Sequence, residues 1–201
     1  MLRFKYTLLL CSIFMTSISF SQDLSKLREK QGYKEFKLGS DIRNYSNVSK
    51  TSLKRLSDND IQYEYVGSEH VNIGKNKINK IYFKTVDFRI YEILILIKND
   101  MFIDENAVYY LLINAFGEPN KKPLIKHRSS TSKVEKIYAV WLIDNINLTY
   151  KYTDGTVMED NVVEFTLLDL KRKALAIRLN NQDIETSKVQ KEVSKKALEE
   201  F

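Results

Sequence analysis

Residues 88–97 read Phe88-Arg89-Ile90-Tyr91-Glu92-Ile93-Leu94-Ile95-Leu96-Ile97. The run holds neither Gly nor Pro and is rich in branched and aromatic side chains, the residue types that suit a pleated surface. With a period of two, Tyr91, Ile93, Ile95 and Ile97 share one face, and Ile90, Leu94 and Leu96 fall mostly on the other. Both faces are apolar, which predicts a central strand covered on both sides. Asn99-Asp100 ends it. Upstream, Ile78, Ile81, Tyr82 and Phe83 form a neighbouring run, and Thr85-Val86-Asp87 reads as the turn between the two.

Working outward, residues 33–38 alternate polar and apolar and predict a short strand closed by Gly39. Ser40 or Asp41 then caps a short helix carrying Ile42, Tyr45 and Val48. The cluster 57–60 (Ser-Asp-Asn-Asp) reads as a turn, and 61–66 as a strand. Downstream, Asp104 caps a helix over 105–116, with Val108, Leu111, Leu112 and Ala115 at helical spacing. Gly117 stands at C′ and Pro119 beyond it. Residues 138–143 and 146–152 are strands joined at Asp144-Asn145, a two-residue hairpin signal. Residues 162–170 make the last strand. Residues 175–179 suit strand and helix alike, and 183–201 space Ile184, Val189, Val193, Ala197 and Phe201 as an amphipathic helix expected to dock back on the domain, the alternative being that it waits for a partner. Residues 22–32 read as a polar, loose segment with at most a helical turn through Leu24 and Leu27. Short turns, not crossover helices, link the strands. The fold class is therefore α+β: a mainly antiparallel sheet with helices packed on one face, plus a C-terminal helix.

The N-terminus carries an address. Arg3 and Lys5 form a positive n-region, 8–20 is an apolar core, and Ser19-Phe20-Ser21 fits a signal-peptidase site. The expected organisation is a signal peptide over 1–21, a single domain over 22–180 and the terminal helix over 181–201. The mature protein is expected in the periplasm or secreted. Losing Arg3 and Lys5 lowers the net charge from +6 to +4, too little to mark a nucleic-acid binder by itself. The single cysteine, Cys11, lies inside the leader, so the mature chain is expected to be cysteine-free. That excludes disulfides, thiolate metal sites and cysteine nucleophiles from it. Leu10 before Cys11 argues against a lipoprotein. No later run is long and apolar enough for a transmembrane helix.

The segment Phe36-Lys37-Leu38-Gly39 before a capped helix, and Ala115-Phe116-Gly117-Glu118-Pro119 closing a second one, resemble exported α+β proteins of Bacteroidetes-type bacteria, with Trp141 at the place of their strand tryptophan. The same pieces are fainter in their similarity to BamE-like envelope accessory domains. The resemblance covers about residues 33–170. It implies an exported accessory role and carries no catalytic residue.

Chemistry is sparse. His70 and His127 stand far apart in polar surroundings and read as surface histidines outside any short metal motif. There is no Gly-rich phosphate loop and no nucleophile elbow, so no cofactor and no catalytic or metal-binding residue is assigned. A carboxylate pair assembled across strands leaves no spacing to read. The loop 120–136 is basic, with Lys121, Lys122, Lys126, Arg128, Lys133 and Lys136. Lys75, Lys77 and Lys80 form a second cluster that would add to it if the fold joined them. Tyr63, Tyr65, Trp141 and Tyr150 are the aromatic candidates for a groove. These residues point to a non-catalytic domain binding a protein or an anionic envelope component, and not nucleic acid. The alternatives are a small envelope hydrolase and an inhibitor-like protein.

Overall fold

A computed structural model describes residues 21–55, 59–98, 107–121, 126–127, 135–154 and 161–199, with side-chain surroundings at 24–51, 59–98, 107–121, 139–151 and 161–189. Residues 1–20 of the expected leader, Ser57, Asp58, Asn99, Asp100 and Asp104 lie outside the described residues.

The described residues begin with helix α1 (Ser21–Lys30). This corrects the expected loose segment. Leu24 and Leu27 lie one turn apart, and Leu27 is fully buried in the main core. The Arg28 guanidinium grips both Asp144 carboxylate oxygens, at 2.8 and 3.2 Å. Next come β1 (Gly32–Tyr33) and β2 (Phe36–Lys37), a small hairpin and not the single strand expected over 33–38. The alternating side chains concealed a reversal at Lys34, whose φ is 53°. Asp41 caps one turn of 3₁₀ helix, Ile42–Asn44, accepting from the Arg43 N–H at 2.9 Å. The expected short helix stops there, because Val48 already belongs to the next strand.

That strand is β3 (Val48–Arg55), followed by β4 (Asp60–Tyr65), β5 (Asn72–Ile73), β6 (Asn76–Val86) and β7 (Arg89–Ile97). Helix α2 (Ala107–Phe116) follows, then β8 (Lys126–His127), β9 (Glu135–Ile143), β10 (Ile146–Asp154), β11 (Asn161–Leu167) and the long helix α3 (Leu168–Glu199). The main sheet runs β3-β4-β6-β7-β11-β10-β9-β8, antiparallel throughout, with β5 paired to β6. The antiparallel α+β architecture is as read from sequence, and β7 is indeed interior.

The reversal between β6 and β7 falls at Asp87-Phe88, one step later than expected. Both residues have positive φ, 49° and 64°, the geometry of a two-residue hairpin turn. The register also shifts: Lys84 faces Glu92 while Thr85 faces Ile90. The extra residue turns Tyr91 to the opposite face from Ile93, Ile95 and Ile97, and brings Ile90 onto theirs. The plain alternation assigned those two residues the other way round. At Asp144-Asn145 the hairpin is where the sequence places it, with Ile143 opposite Ile146.

One face of the sheet carries Tyr63, Phe83, Ile93, Ile95, Trp141, Leu148 and Phe165, and α1 and α2 cover it with Leu27, Val108, Leu112 and Phe116. The other face carries a smaller apolar patch, Val86 and Tyr91, under Leu170, Ala174 and Ile177 of α3. The expected strand 162–170 ends at Leu167 instead. The Leu168 N–H donates to the Asn145 carbonyl at 2.8 Å, and Asn145 Nδ2 donates to Asp169 at 2.9 Å, so the β9–β10 turn pins the first turn of the helix. Residues 175–179 are helical, and the 180/181 boundary lies inside one continuous helix. Docking is carried by its first turns. Ile184 and Val189, expected to dock, are 46% and 59% exposed.

Candidate functional site

Five parts of the chain enclose an open cleft of about 540 Å³. The end of α1 contributes Glu29 and Lys30, and the β1–β2 hairpin contributes Tyr33, Lys34 and Lys37. The β5–β6 turn contributes Ile73 and Gly74. One wall is the face of α2 formed by Leu111, Leu112, Ala115 and Phe116, and Phe165 of β11 meets it below. The lining is mainly apolar, and its charged members are three lysines against one glutamate.

Local chemistry fixes each wall. Gly117 ends α2 in the left-handed region, φ 77°, and its N–H donates to the Ile113 carbonyl at 2.7 Å. The Gly117 carbonyl accepts the Trp141 indole N–H at 2.6 Å, which anchors that end of α2 to β9. Gly74 has φ 60°, a left-handed backbone that favours glycine, and a Cβ there would stand 2.4 Å from Leu111 Cδ1, so a side chain would push Leu111 aside. The Tyr33 hydroxyl donates to the Asn72 carbonyl at 3.2 Å, tying the hairpin to β5. Burial, with help from the Glu35 carboxylate, pushes this phenol up to about 12, so it stays a neutral donor. Lys30 Nζ lies 5.6 Å from the centre of the Phe116 ring and Lys34 Nζ 5.3 Å from that of Tyr33, each keeping its cation against an aromatic face.

Lys34 Nζ is also 3.1 Å from His70 Nδ1, and His70 Nε2 pairs with the Glu35 carboxylate. The imidazole is 12% exposed and packs edge-on to Phe36 and beside Tyr65, with ring centres 5.5 and 5.3 Å apart. His70 is therefore no surface histidine: the hairpin turn folds over it.

The aromatic candidates separate. Trp141 and Tyr150 are fully buried and Tyr63 nearly so, which corrects their expected place in a groove. They are core residues, and Trp141 acts on the cleft only through Gly117. Tyr65 is half-buried against Phe36. Of the basic loop, Lys122, Arg128 and Lys133 lie outside the described residues. Lys121 donates its N–H to Val140 O at 3.2 Å, and Lys126 stands opposite Lys136 at the β8 edge. Lys77 and Lys80 lie on β6, four strand spacings from β9, or about 19 Å. The sheet thus separates the two basic clusters. Lys80 is already engaged, with Glu64 at 3.1 Å. The lysines that do converge, Lys30, Lys34 and Lys37, are gathered by a helix end and a hairpin. Their one sequence signal is a basic stretch interrupted by Gly32.

The face under α3 holds the acidic groups. Lys171 Nζ bridges Glu92 and Glu164 at 3.0 and 3.2 Å; Lys84 also pairs with Glu92, and Lys151 with Glu164 at 3.0 Å. Arg178 pairs with buried Asp60 and donates to the Tyr91 hydroxyl at 2.6 Å. A cross-strand carboxylate pair does form here, but in a setting unsuited to acid catalysis. Burial pushes the Glu164 carboxyl up, yet Lys151 and Lys171 outweigh it and hold it below the ordinary range. A general acid needs the opposite shift. Among the described residues there is no group of three or more metal-ligating side chains, and no helix is long and apolar enough to cross a membrane.

No protein-family model, no curated protein and no solved structure matches this chain.

Proposed function

We propose that this chain is an exported, non-catalytic binding domain of the cell envelope, and that the cleft between α1, the β1–β2 hairpin and α2 holds its ligand. The observation that carries the reading is the cleft itself. Its volume of about 540 Å³ falls in the roughly 300–1,000 Å³ range of small-molecule sites. Its apolar walls and few charged groups fit binding better than chemistry. Two further points favour binding: the Glu92–Glu164 carboxylates are ion-paired by lysines, and Tyr33 is held neutral. Export rests on the leader pattern in residues 1–22.

The test is native mass spectrometry of the protein purified without denaturant from envelope extract. Ala115→Trp, which fills the cleft, is the comparison. The expected result is a non-covalent mass adduct on the wild type that Ala115→Trp lacks. Identical spectra from both would overturn the assignment of the cleft.

A further inference from the structure

Resting on that reading of the cleft, we propose that its ligand is a single-chain anionic amphiphile, with an alkyl chain along α2 and an acidic head among Lys30, Lys34 and Lys37. Two separate features meet here. The first is an apolar trough. Leu111, Leu112, Ala115 and Phe116 present one helical face to the cleft, and Leu111 remains 39% exposed beside it. An alkyl chain laid on this face removes that surface from water. The second is charge: Lys30, Lys34 and Lys37 line the cleft against the Glu29 carboxylate, and although Lys34 also meets the His70 imidazole that pairs with Glu35, the three lysines still exceed these two carboxylates by one. A cationic or neutral head would leave the excess positive charge uncompensated, whereas an acidic head matches it.

The same features argue against a small inorganic anion. Among the described residues, no helix N-terminus lines the cleft to cradle phosphate with its backbone N–H groups. Lysines at a surface hold a compact ion weakly. The chain supplies the affinity and the lysines select the head.

Isothermal titration calorimetry with octanoate, decanoate and 1-decanol, all below their aggregation concentrations, tests this on the purified protein. Decanoate is expected to bind roughly tenfold tighter than octanoate, from about three- to fourfold per added methylene. It should also bind about tenfold tighter than 1-decanol at low salt, with the gap narrowing at high salt. Replacing Lys30, Lys34 and Lys37 together by alanine should equalise decanoate and 1-decanol. Ala115→Trp and, as a second variant, Leu111→Gln should weaken both; circular dichroism and the thermal midpoint verify that each variant is folded. If 1-decanol binds as tightly as decanoate and Ala115→Trp blocks both, the anionic class is overturned while the cleft stands as a binding site. If neither binds, the amphiphile is overturned, and the native mass spectra decide the cleft separately.

Discussion

The Trp141 indole N–H points from β9 at the Gly117 carbonyl, 2.6 Å away, and so joins the sheet to the end of α2. Trp141→Phe keeps an aromatic ring in the core and deletes this one donor. The expected cost is about 1–3 kcal/mol, since a half-buried carbonyl loses its partner and the smaller ring leaves space in the core. Because α2 is a wall of the cleft, affinity for an amphiphile should drop as well. Urea unfolding and calorimetry of the variant check both. Unchanged stability would mean that the hydrogen bond does not hold the helix.

Lys171 is the centre of the α3 contact. Lys171→Ala leaves Glu92 with Lys84 and Glu164 with Lys151, so each carboxylate keeps one cation. About a third of the Lys171 side chain is exposed. The expected loss is therefore about 1–3 kcal/mol, below the roughly 3–5 of a fully enclosed pair. Denaturant midpoints measure it, and a loss that persists undiminished in high salt would contradict an electrostatic origin.

Glu164 and Lys171 also set a pH dependence. Glu164 titrates below its ordinary range in the folded protein, so it binds fewer protons there than in the unfolded chain. Its contribution is whole above about pH 5 and is lost as pH falls through the folded value. For Lys171, burial works downward, but Glu92 and Glu164 prevail and raise it above the ordinary lysine value. That contribution is whole below the ordinary value and is lost as pH rises through the raised one. Thermal midpoints from pH 7 to pH 3 should fall less steeply for Glu164→Gln than for the wild type. Coincident acid limbs would refute the assignment.

Gly74→Ala tests the cleft wall. The left-handed φ costs about 1 kcal/mol for a non-glycine residue. The new methyl also displaces Leu111. A shift in alkyl-chain affinity larger than the small change in the denaturation midpoint is expected.

The interior of the sheet was legible where pattern and pairing agree. Ile93, Ile95 and Ile97 alternate, and β7 is central; Asp144-Asn145 turns where its chemistry says. Ile90 and Tyr91 were misread because a bulge is a property of two strands in register, and the sequence of one strand does not contain it. The first turns of α3 were misread as strand because Leu168 and Leu170 extend the apolar run of β11. What starts the helix there is a contact from Asn145, more than twenty residues earlier. The cleft lysines escaped notice for a related reason. Lys30, Lys34 and Lys37 converge through the reversal at Lys34, whose left-handed backbone no side-chain pattern announces. The aromatic candidates Trp141 and Tyr150 were chosen by residue type, and type does not separate a groove from a core.

Helix α3 is anchored between Leu170 and Arg178, and from there it continues to Glu199. At about 1.5 Å per residue, the stretch beyond Arg178 adds roughly 30 Å of rod to one side of the sheet. Such a protrusion makes tumbling anisotropic: spinning about the helix axis is quicker than end-over-end rotation. Amide nitrogens whose N–H vectors lie along the rod therefore relax differently from those lying across it. The helix also moves the centre of hydrodynamic drag away from the sheet, so the molecule diffuses as a body longer than its core.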